Sequence, residues 1–392
     1  MKNIIITGGG MGNKGAQSMT FICVEEMKKR YPKDRIVLMT LAKGDSQQYR
    51  FDVCPIAYSA LQQVVRPVGS LKAFFKRIRK EEVQKITGLF EQARLMIDIS
   101  GYALGSNWAD ATVDYYLSCI ECARKYDVPV YVMPQSFGPF DYPQNASVRN
   151  RISQTMAYPR VIYAREAEGY RMMKEQFGLH NLKQSCDMVI RGTAVEPDHI
   201  YRDYVGTKLP QIVEHAVGII PNIRNFDHGD KSAIMNFYRI IIQQLLSEGK
   251  QVYILYHSGE DAPICQEIKE AFQKNNHVTL LPQDFDCFAY EEIVGKFDYL
   301  IASRYHSIIH ALRNRVPCIA MGWATKYIDL LALFEQKNCM IDVRKSVGEQ
   351  EIIDMLQQME AEYGDRGKVI QERLKELRRS NLFDEILAEV RQ

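Results

Sequence analysis

The sequence predicts an α/β protein of two domains, each with a mostly parallel, doubly wound sheet, that face each other across a cleft. Short apolar runs alternate with amphipathic stretches along the whole chain, which is the rhythm of successive βα units. With 392 residues the chain is also too long for one ordinary hydrophobic core. Residues 193–211 are polar, lack periodicity and contain two prolines, so they are predicted to link the domains.

The predicted boundaries follow from this linker. The first domain is expected over residues 1–200 and the second over residues 212–365. A long charged segment, 366–392, is predicted to form a helix that packs back across both domains. We find no internal repeat of fixed period.

Composition excludes several classes of protein. Hydrophobic residues make up 46% of the chain and charged residues 25%, which is typical of a soluble globular protein. A net charge of +2 provides no general attraction for nucleic acid. Nine scattered cysteines favour reduced thiols and a cytoplasmic location. The N-terminus is not expected to be a signal peptide, and no run reaches the length that spans a bilayer.

The first βα unit contains a glycine-rich turn. Asn3–Thr7 is predicted as a buried strand and Ala16–Lys29 as an amphipathic helix, with the loop GGGMGNKGAQSM joining them. The spacing of the glycines does not match a Walker loop, and it fits the dinucleotide-binding fingerprint poorly. We expect the glycines of this loop to let the backbone approach a substrate at the cleft, and Gly10, Asn13 and Lys14 to bind that substrate. These glycines are Gly8, Gly9, Gly10, Gly12 and Gly15. The alternative is a tight turn that binds nothing.

Residues 66–80, RPVGSLKAFFKRIRK, carry six basic side chains and no acidic one. Apolar residues recur there at helical spacing, which predicts a basic amphipathic helix. Such a helix can lie on an anionic membrane surface, here the inner face of the cell membrane. The alternative is a surface helix whose apolar face packs on its own domain.

Polar residues follow other predicted strands of the first domain. Asp98 lies near the end of the predicted strand Ala93–Ser100, and Gly101 follows that strand in a loop. Gln135 and Ser136 follow the next strand in a proline-and-glycine turn. In open α/β sheets the carboxyl ends of the strands border the ligand crevice, so these residues are predicted to line it. Asp187 lies near a later strand end, and both Asp98 and Asp187 are candidate bases.

The second domain holds the most informative stretch, Phe297–Met321, which is predicted as strand, turn, helix and strand. Arg304 and His306 lie where the first strand ends and the helix begins, with Ser303 as its expected cap. Free N–H groups and the helix dipole favour an anion at such a junction. Arg304 is therefore predicted to bind an anion, with His306 as a proton donor beside it.

Other interpretations of this stretch remain open from the residues alone. Arg304 can form a structural ion pair with Asp298, and His306 can be a core residue. His306 and His310 lie four residues apart, but no third ligand has suitable spacing, so we expect no metal. Arg224, which follows the domain's first strand, is a second candidate for binding the anion.

Several motifs, in order along nearly the whole chain, resemble those of the polysaccharide pyruvyl transferase family. They are GGGMGNKGAQSM, GYALGSNW, MPQSFGPF, AREAEGY, CDMVI, GIIPNIRNF, HSGED and, most specifically, SRYHSIIHALRNRVPCIAM. The chain departs from the family at Tyr305, where leucine is commoner. It also has Asn-Lys-Gly-Ala in the first loop, where many members have an acidic residue.

The resemblance implies a GT-B-like fold, two Rossmann-like domains with the active site between them, and no cofactor. It implies phosphoenolpyruvate as donor, bound by the second domain, and a sugar of a cell-surface polysaccharide or its lipid-linked precursor as acceptor, bound by the first. Arg304 and Arg224 are then the donor-binding arginines, with Tyr305 between Arg304 and His306. His306 is the acid, and Asp98 a candidate base. The alternatives are a GT-B glycosyltransferase that uses a nucleotide sugar and a non-catalytic sugar- or anion-binding protein.

Overall fold

The structure is a computed structural model that describes residues 1–42, 46–67, 80–142, 146–282 and 285–388. It contains two parallel sheets in two Rossmann-like domains, so the predicted fold class is confirmed. The basic stretch 66–80 lies almost entirely outside the described residues. The domain boundaries at residues 200, 212 and 365 stay predictions.

The sheet of the first domain has eight strands among the described residues, in the order β3-β2-β1-β4-β6-β7-β8, with β5 pairing β6. All its strand pairs are parallel. The strands are β1 Asn3–Thr7, β2 Arg35–Thr40, β3 Asp52–Pro55, β4 Ala93–Asp98, β5 Tyr102–Leu104, β6 Val130–Phe137, β7 Val161–Ala164 and β8 Leu182–Gln184.

The sheet of the second domain has six strands in the described part of the chain, in the order β11-β10-β9-β12-β13-β14. They are β9 Val217–Ile220, β10 Val252–Ile254, β11 Val278–Leu280, β12 Tyr299–Ala302, β13 Cys318–Gly322 and β14 Met340–Asp342. In both sheets the strand order reverses beside the first strand, at β1/β4 and at β9/β12. Ligands of open α/β sheets bind outside the strand ends at such points.

Helices cover both faces of the sheets. The α-helices are α1 Lys14–Arg30, α2 Tyr58–Val65, α3 Lys80–Glu91, α4 Asp110–Lys125, α5 Ala146–Met156, α6 Ala167–Phe177, α7 Met188–Arg191, α8 Pro197–Ile200, α9 Lys231–Ser247, α10 Ala262–Ala271, α11 Cys287–Val294, α12 Tyr305–Arg313, α13 Thr325–Leu333, α14 Glu349–Leu377 and α15 Leu382–Leu387. Within the described ranges, no helix is both long enough and apolar enough to cross a bilayer. All nine cysteines are free and buried.

The C-terminal segment differs from the prediction of one helix over residues 366–392. The long helix α14 begins earlier, at Glu349, and ends at Leu377. It continues through Gly364 and Gly367, although glycine disfavours a helix interior. A Cβ on Gly367 would lie 3.0 Å from the carbonyl oxygen of Arg315, so this glycine allows close packing.

The end of the chain binds the first domain. Arg378 Nε donates to the carbonyl oxygen of Ile190 at 2.7 Å, and Asn381 Nδ2 donates to Glu26 at 3.2 Å. Asp384 pairs with Arg30 at 2.5 Å. The last helices therefore connect the second domain to the first through the described residues 378–384.

The two domains also meet along one continuous apolar cluster. It includes Ile22 and Met27 of α1 together with Ile308 and Ile309 of α12, all nearly inaccessible to water. At the centre of this seam the backbone of Gly15 lies against the ring of His306. A Cβ on Gly15 would come within 2.3 Å of that ring, so only glycine fits.

We predict that Gly15→Ala destabilises the protein by about 1–3 kcal/mol, because the added methyl group must push the His306 ring out of a packed seam. The matched control is Gly12→Ala, since a Cβ there would meet no atom within 4 Å. Denaturant unfolding of both variants and wild type measures the difference. Equal stability of the two variants would show that the domains do not close on His306.

Candidate active site

The candidate site lies between the domains, where the ends of β7, β9, β10, β12 and β13 meet. Arg304 is the N-cap residue of α12, and its side chain makes no capping bond. Ser303 was expected to cap this helix, but it is fully buried and its hydroxyl bonds Tyr238 at 2.9 Å. The Ser303 carbonyl accepts hydrogen bonds from Asn222 and from Tyr327, both at 3.1 Å. This buried network holds the strand end in place.

Two acidic residues orient the Arg304 guanidinium. Its Nε donates to Asp261 at 2.9 Å, and its Nη2 donates to Glu260 at 2.6 Å. Asp261 is completely buried, and this burial raises its pKa, with Arg304 opposing the shift. Burial would lower the pKa of Arg304, but the two carboxylates outweigh it and the net shift is upward. The alternative pairing of Arg304 with Asp298 is not formed, because Asp298 contacts His215 and Lys250 instead.

Arg224 reaches the same acidic residue from the other side. It follows β9, and its Nη2 donates to Glu260 at 2.8 Å. Its side chain is 56% exposed, against 16% for Arg304. The two predicted donor-binding arginines therefore do converge, and the carboxylate of Glu260 lies between them.

Arg165 is a third arginine at the site, and the sequence did not indicate it as a binding residue. It follows β7 at the start of α6, in the motif AREAEGY. Its guanidinium donates to Asp187 and to the Ser136 hydroxyl, both at 2.6 Å. It also lies 4.3 Å from the ring centroid of Tyr305 in the facing domain. Arg165 is thus a buried cation at the seam.

His306 lies between the two domains. Its Nε2 is 3.6 Å from Asp187 Oδ2, beyond hydrogen-bond distance, and has no hydrogen-bond partner among the described residues. Burial lowers the pKa of His306 from 6.5 to about 4, and Asp187 only partly offsets this. The imidazole is therefore neutral near pH 7 in the unliganded protein.

Asp98 is a buried residue that is fixed by hydrogen bonds within the first domain. Its two oxygens accept four hydrogen bonds, from Thr7 at 2.8 Å, from the Ser100 hydroxyl at 2.9 Å, from the Ser100 amide at 3.2 Å and from Gln135 at 3.1 Å. A carboxylate has about four lone-pair directions, so none is left for a substrate hydroxyl. The pKa of Asp98 is raised by burial. Gln135 is completely buried beside it.

The glycine-rich loop has mainly structural contacts. Asn13 caps α1, since its Oδ1 accepts from the Ala16 amide at 2.9 Å. Lys14 donates to the carbonyl oxygen of Phe285 in the second domain. The Gly10 amide donates to Thr20 at 3.1 Å, and Gly101 has a φ of +68°, which favours glycine. Lys14 thus helps to join the domains, as does the antiparallel β-bridge between Asn13 and Ser258.

Lys326 is a further cation that the sequence analysis missed. It lies in the first turn of α13, after β13, and its ammonium is 5.5–5.6 Å from the ring centroids of Tyr102, Tyr305 and Tyr327. Burial, together with Arg165, lowers its pKa to about 8. Of the residues that the structure describes, none hydrogen bonds or forms an ion pair with this ammonium. Strand-to-helix position was its only signal in the sequence.

The expectation that the protein binds no metal stays a prediction. His310, four residues after His306, is completely buried, and its Nε2 is 3.4 Å from the Ser18 hydroxyl. No group of three His, Cys, Asp or Glu side chains in the described ranges is placed to bind a metal ion.

Comparison with known proteins identifies the family to which the chain is similar. The family model described as polysaccharide pyruvyl transferase matches residues 13–325. No curated protein matches the chain in sequence.

Solved structures with a similar fold include three sugar-related proteins. Anabaena HepE, in complex with UDP and glucose, has 10% identity and a TM-score of 0.60 over 100% of this chain and 98% of its own. A glycosyltransferase from Rickettsia africae has 12% identity and a TM-score of 0.54 over 99% and 96%. The UDP-GlcNAc 2-epimerase from Neisseria meningitidis has 13% identity and a TM-score of 0.53 over 94% of each chain. At such identities the likeness shows the GT-B-like fold alone.

The lowered pKa of His306 predicts a pH dependence of stability. Between pH 6.5 and about 4 the unfolded state carries a proton on this residue and the folded state does not. Stability therefore falls as the pH falls through this window, by roughly 3 kcal/mol from His306 alone. Denaturant unfolding of wild type and His306→Asn across this range measures it, and the difference between the two isolates His306. A constant difference would contradict the neutral, buried imidazole.

Proposed function

The chain belongs to the polysaccharide pyruvyl transferase family, and on this premise we propose that it uses phosphoenolpyruvate as the pyruvyl donor. The enolpyruvyl group moves to two hydroxyls of one sugar, a pyruvate ketal forms and phosphate leaves. The acceptor is a sugar of a cell-surface polysaccharide or of its lipid-linked precursor. Contact with the membrane through residues 66–80 belongs to this proposal as well.

The observation that carries the proposal is the meeting of three cations and a neutral imidazole between the domains. Arg304 and Lys326 come from the second domain and Arg165 from the first. Phosphoenolpyruvate is small and carries both a carboxylate and a phosphate. Guanidinium groups bind either oxyanion through two hydrogen bonds, and an ammonium adds a point charge. A compact, multiply anionic donor suits this set.

The acidic partners of Arg304 differ in a way that allows an anion to bind. Asp261 is buried and can keep the guanidinium oriented. Glu260 is 37% exposed and can turn into solvent. In this proposal the donor replaces Glu260 at Arg304, and Arg224 at the rim contributes a weaker, solvent-screened attraction.

His306 is the proposed acid, and donor binding prepares it. A nearby anion favours the protonated imidazole and so raises its pKa from the low value of the unliganded site. His306 then donates its proton to the methylene carbon of the donor, and C2 becomes electrophilic. A sugar hydroxyl bonds to C2 and gives up its proton to a base. The bond from C2 to the phosphate oxygen then breaks, and a second hydroxyl bonds to C2, loses its proton to the departing phosphate and closes the ketal.

The base for the sugar hydroxyl stays an open part of the proposal. Asp98 was the candidate, but its four internal hydrogen bonds favour a structural role. Asp187 is bound by Arg165 and by the Val189 amide at 2.8 Å, and it faces His306. Asp187 is therefore better placed to orient the imidazole than to deprotonate an acceptor.

We predict that wild type releases phosphate from phosphoenolpyruvate only with an acceptor. Arg304→Lys keeps a charge but loses the guanidinium fork, and should raise the KM for the donor about 10- to 100-fold. His306→Asn should lower kcat about 100-fold or more. A coupled phosphate assay, with mass detection of pyruvyl adducts over a glycan panel, measures both effects.

The control for these variants is Lys368→Ala, since this side chain is exposed and remote on α14. Circular dichroism and thermal unfolding establish that each variant is folded. Normal turnover in Arg304→Lys or His306→Asn would remove that residue from the proposed site. Phosphate release at the same rate with and without an acceptor would contradict the proposed transfer reaction.

The second candidate is a glycosyltransferase that uses a nucleotide sugar, because HepE shares the fold and was determined with UDP and glucose. We predict that phosphoenolpyruvate raises the Tm of the protein and that UDP-glucose and UDP-GlcNAc do not. A ligand at 100 times its Kd stabilises the folded state by about 2.7 kcal/mol. Thermal shift measurements at matched concentrations test this, with Arg304→Lys expected to weaken the shift. Stabilisation by the UDP-sugars alone would favour the glycosyltransferase.

A further inference from the structure

Trp108 is the most exposed of the Phe, Tyr and Trp side chains that the structure describes. It is 40% exposed and lies in the loop between β5 and α4. A tryptophan normally buries its ring, so an exposed one beside a cleft is an unusual surface feature.

The loop around Trp108 is held rigidly. The Ser106 amide donates to the Pro139 carbonyl oxygen at 2.7 Å, and the Trp108 amide donates to the Gly105 carbonyl oxygen at 3.2 Å. A Cβ on Gly105 would lie 2.6 Å from the Gly138 carbonyl oxygen, so this glycine allows the two loops to touch. The indole is therefore exposed at a fixed place.

The position of Trp108 connects it to the proposed donor site. Its ring packs edge-on against Tyr102, with centroids 5.3 Å apart and an interplanar angle of 60°. The hydroxyl of Tyr102 donates to the Gly138 carbonyl oxygen at 2.7 Å, which fixes that ring too. The ring centroid of Tyr102 also lies 5.6 Å from the Lys326 ammonium. A ligand in contact with Trp108 would thus be connected to Lys326, one of the cations of the cleft, through the single side chain of Tyr102.

The chain has only one other tryptophan, Trp323, and it is placed differently. Trp323 is partly buried, and His228 stacks on its face with centroids 4.2 Å apart and an interplanar angle of 15°. Among the described residues, the ring contact of Trp108 is the inclined one with Tyr102, and no aromatic ring stacks parallel on the indole. Asn107 and Asp110, which flank Trp108 in the sequence, are exposed as well.

We propose that Trp108 is the platform on which a pyranose ring of the acceptor stacks. One face of a pyranose carries C–H groups and packs on an aromatic ring, while its hydroxyls need polar partners at the rim. Asn107 and Asp110 are the partners available here. The assignment rests on the proposed function because it takes the acceptor to be a sugar, and it adds the acceptor subsite on the first domain.

Tryptophan fluorescence tests the binding directly, because only two residues emit. In Trp323→Phe the signal comes from Trp108 alone, and in Trp108→Phe it comes from Trp323 alone. The probes are methyl β-D-galactopyranoside, methyl α-D-mannopyranoside and methyl N-acetyl-β-D-glucosaminide. We expect at least one to change the emission of Trp323→Phe in a saturable way and none to change that of Trp108→Phe. No change in Trp323→Phe, or the reverse pattern, would overturn the proposal.

Kinetics separate this subsite from the transfer reaction. Trp108→Ala should raise the KM for the acceptor about tenfold, the factor that corresponds to 1.4 kcal/mol of lost contact. The KM for phosphoenolpyruvate should stay within about twofold, and Trp108→Tyr should recover part of the loss. The control is Val205→Ala, at a side chain that is 88% exposed and remote from the cleft. An unchanged acceptor KM in Trp108→Ala would refute the subsite while leaving the proposed function intact. If wild type transfers nothing, the proposed function fails, and the fluorescence titration still decides whether Trp108 binds sugar.

Discussion

The ion pair between Arg165 and Asp187 is the interaction on which the cleft depends. Both side chains are almost completely buried, so separating them would leave a charge without water or a partner. Asp187 also caps α7 by accepting a hydrogen bond from the Val189 amide. The guanidinium of Arg165 packs on the ring of Tyr305 from the facing domain. One buried pair thus joins a strand end, a helix start and the opposite domain. His306 lies beside this pair, and its environment follows from it.

Much of this arrangement was predictable because it is local. Arg304 and His306 follow directly from a strand-to-helix junction, where side chain, backbone amides and dipole act within a few residues. The parallel sheets follow from the alternation of apolar runs and amphipathic helices. The same reasoning applied to the motif AREAEGY would have found Arg165, since it occupies the equivalent junction of the first domain.

What the sequence could not show depends on contacts between distant segments. Nothing near Asp98 in the sequence indicates that Thr7 and Gln135 saturate its oxygens. Lys326 looks like an ordinary helix residue until three tyrosines from two domains surround its ammonium. The sequence predicted a separate helix from residue 366, but α14 begins at Glu349 and continues through Gly364 and Gly367. Its packing against Arg315, which compensates for one of them, is a tertiary contact.

The attachment of the chain's end to the first domain has a consequence for biosynthesis. Arg30, Arg191 and Glu26 have partners within the first domain and gain further ones among residues 380–385. Domains generally fold as units, starting from the N-terminus during synthesis. The first domain can therefore form before residues 380–385 are synthesised, with these side chains already paired inside it. The contacts to residues 380–385 are then added to a domain that is already folded.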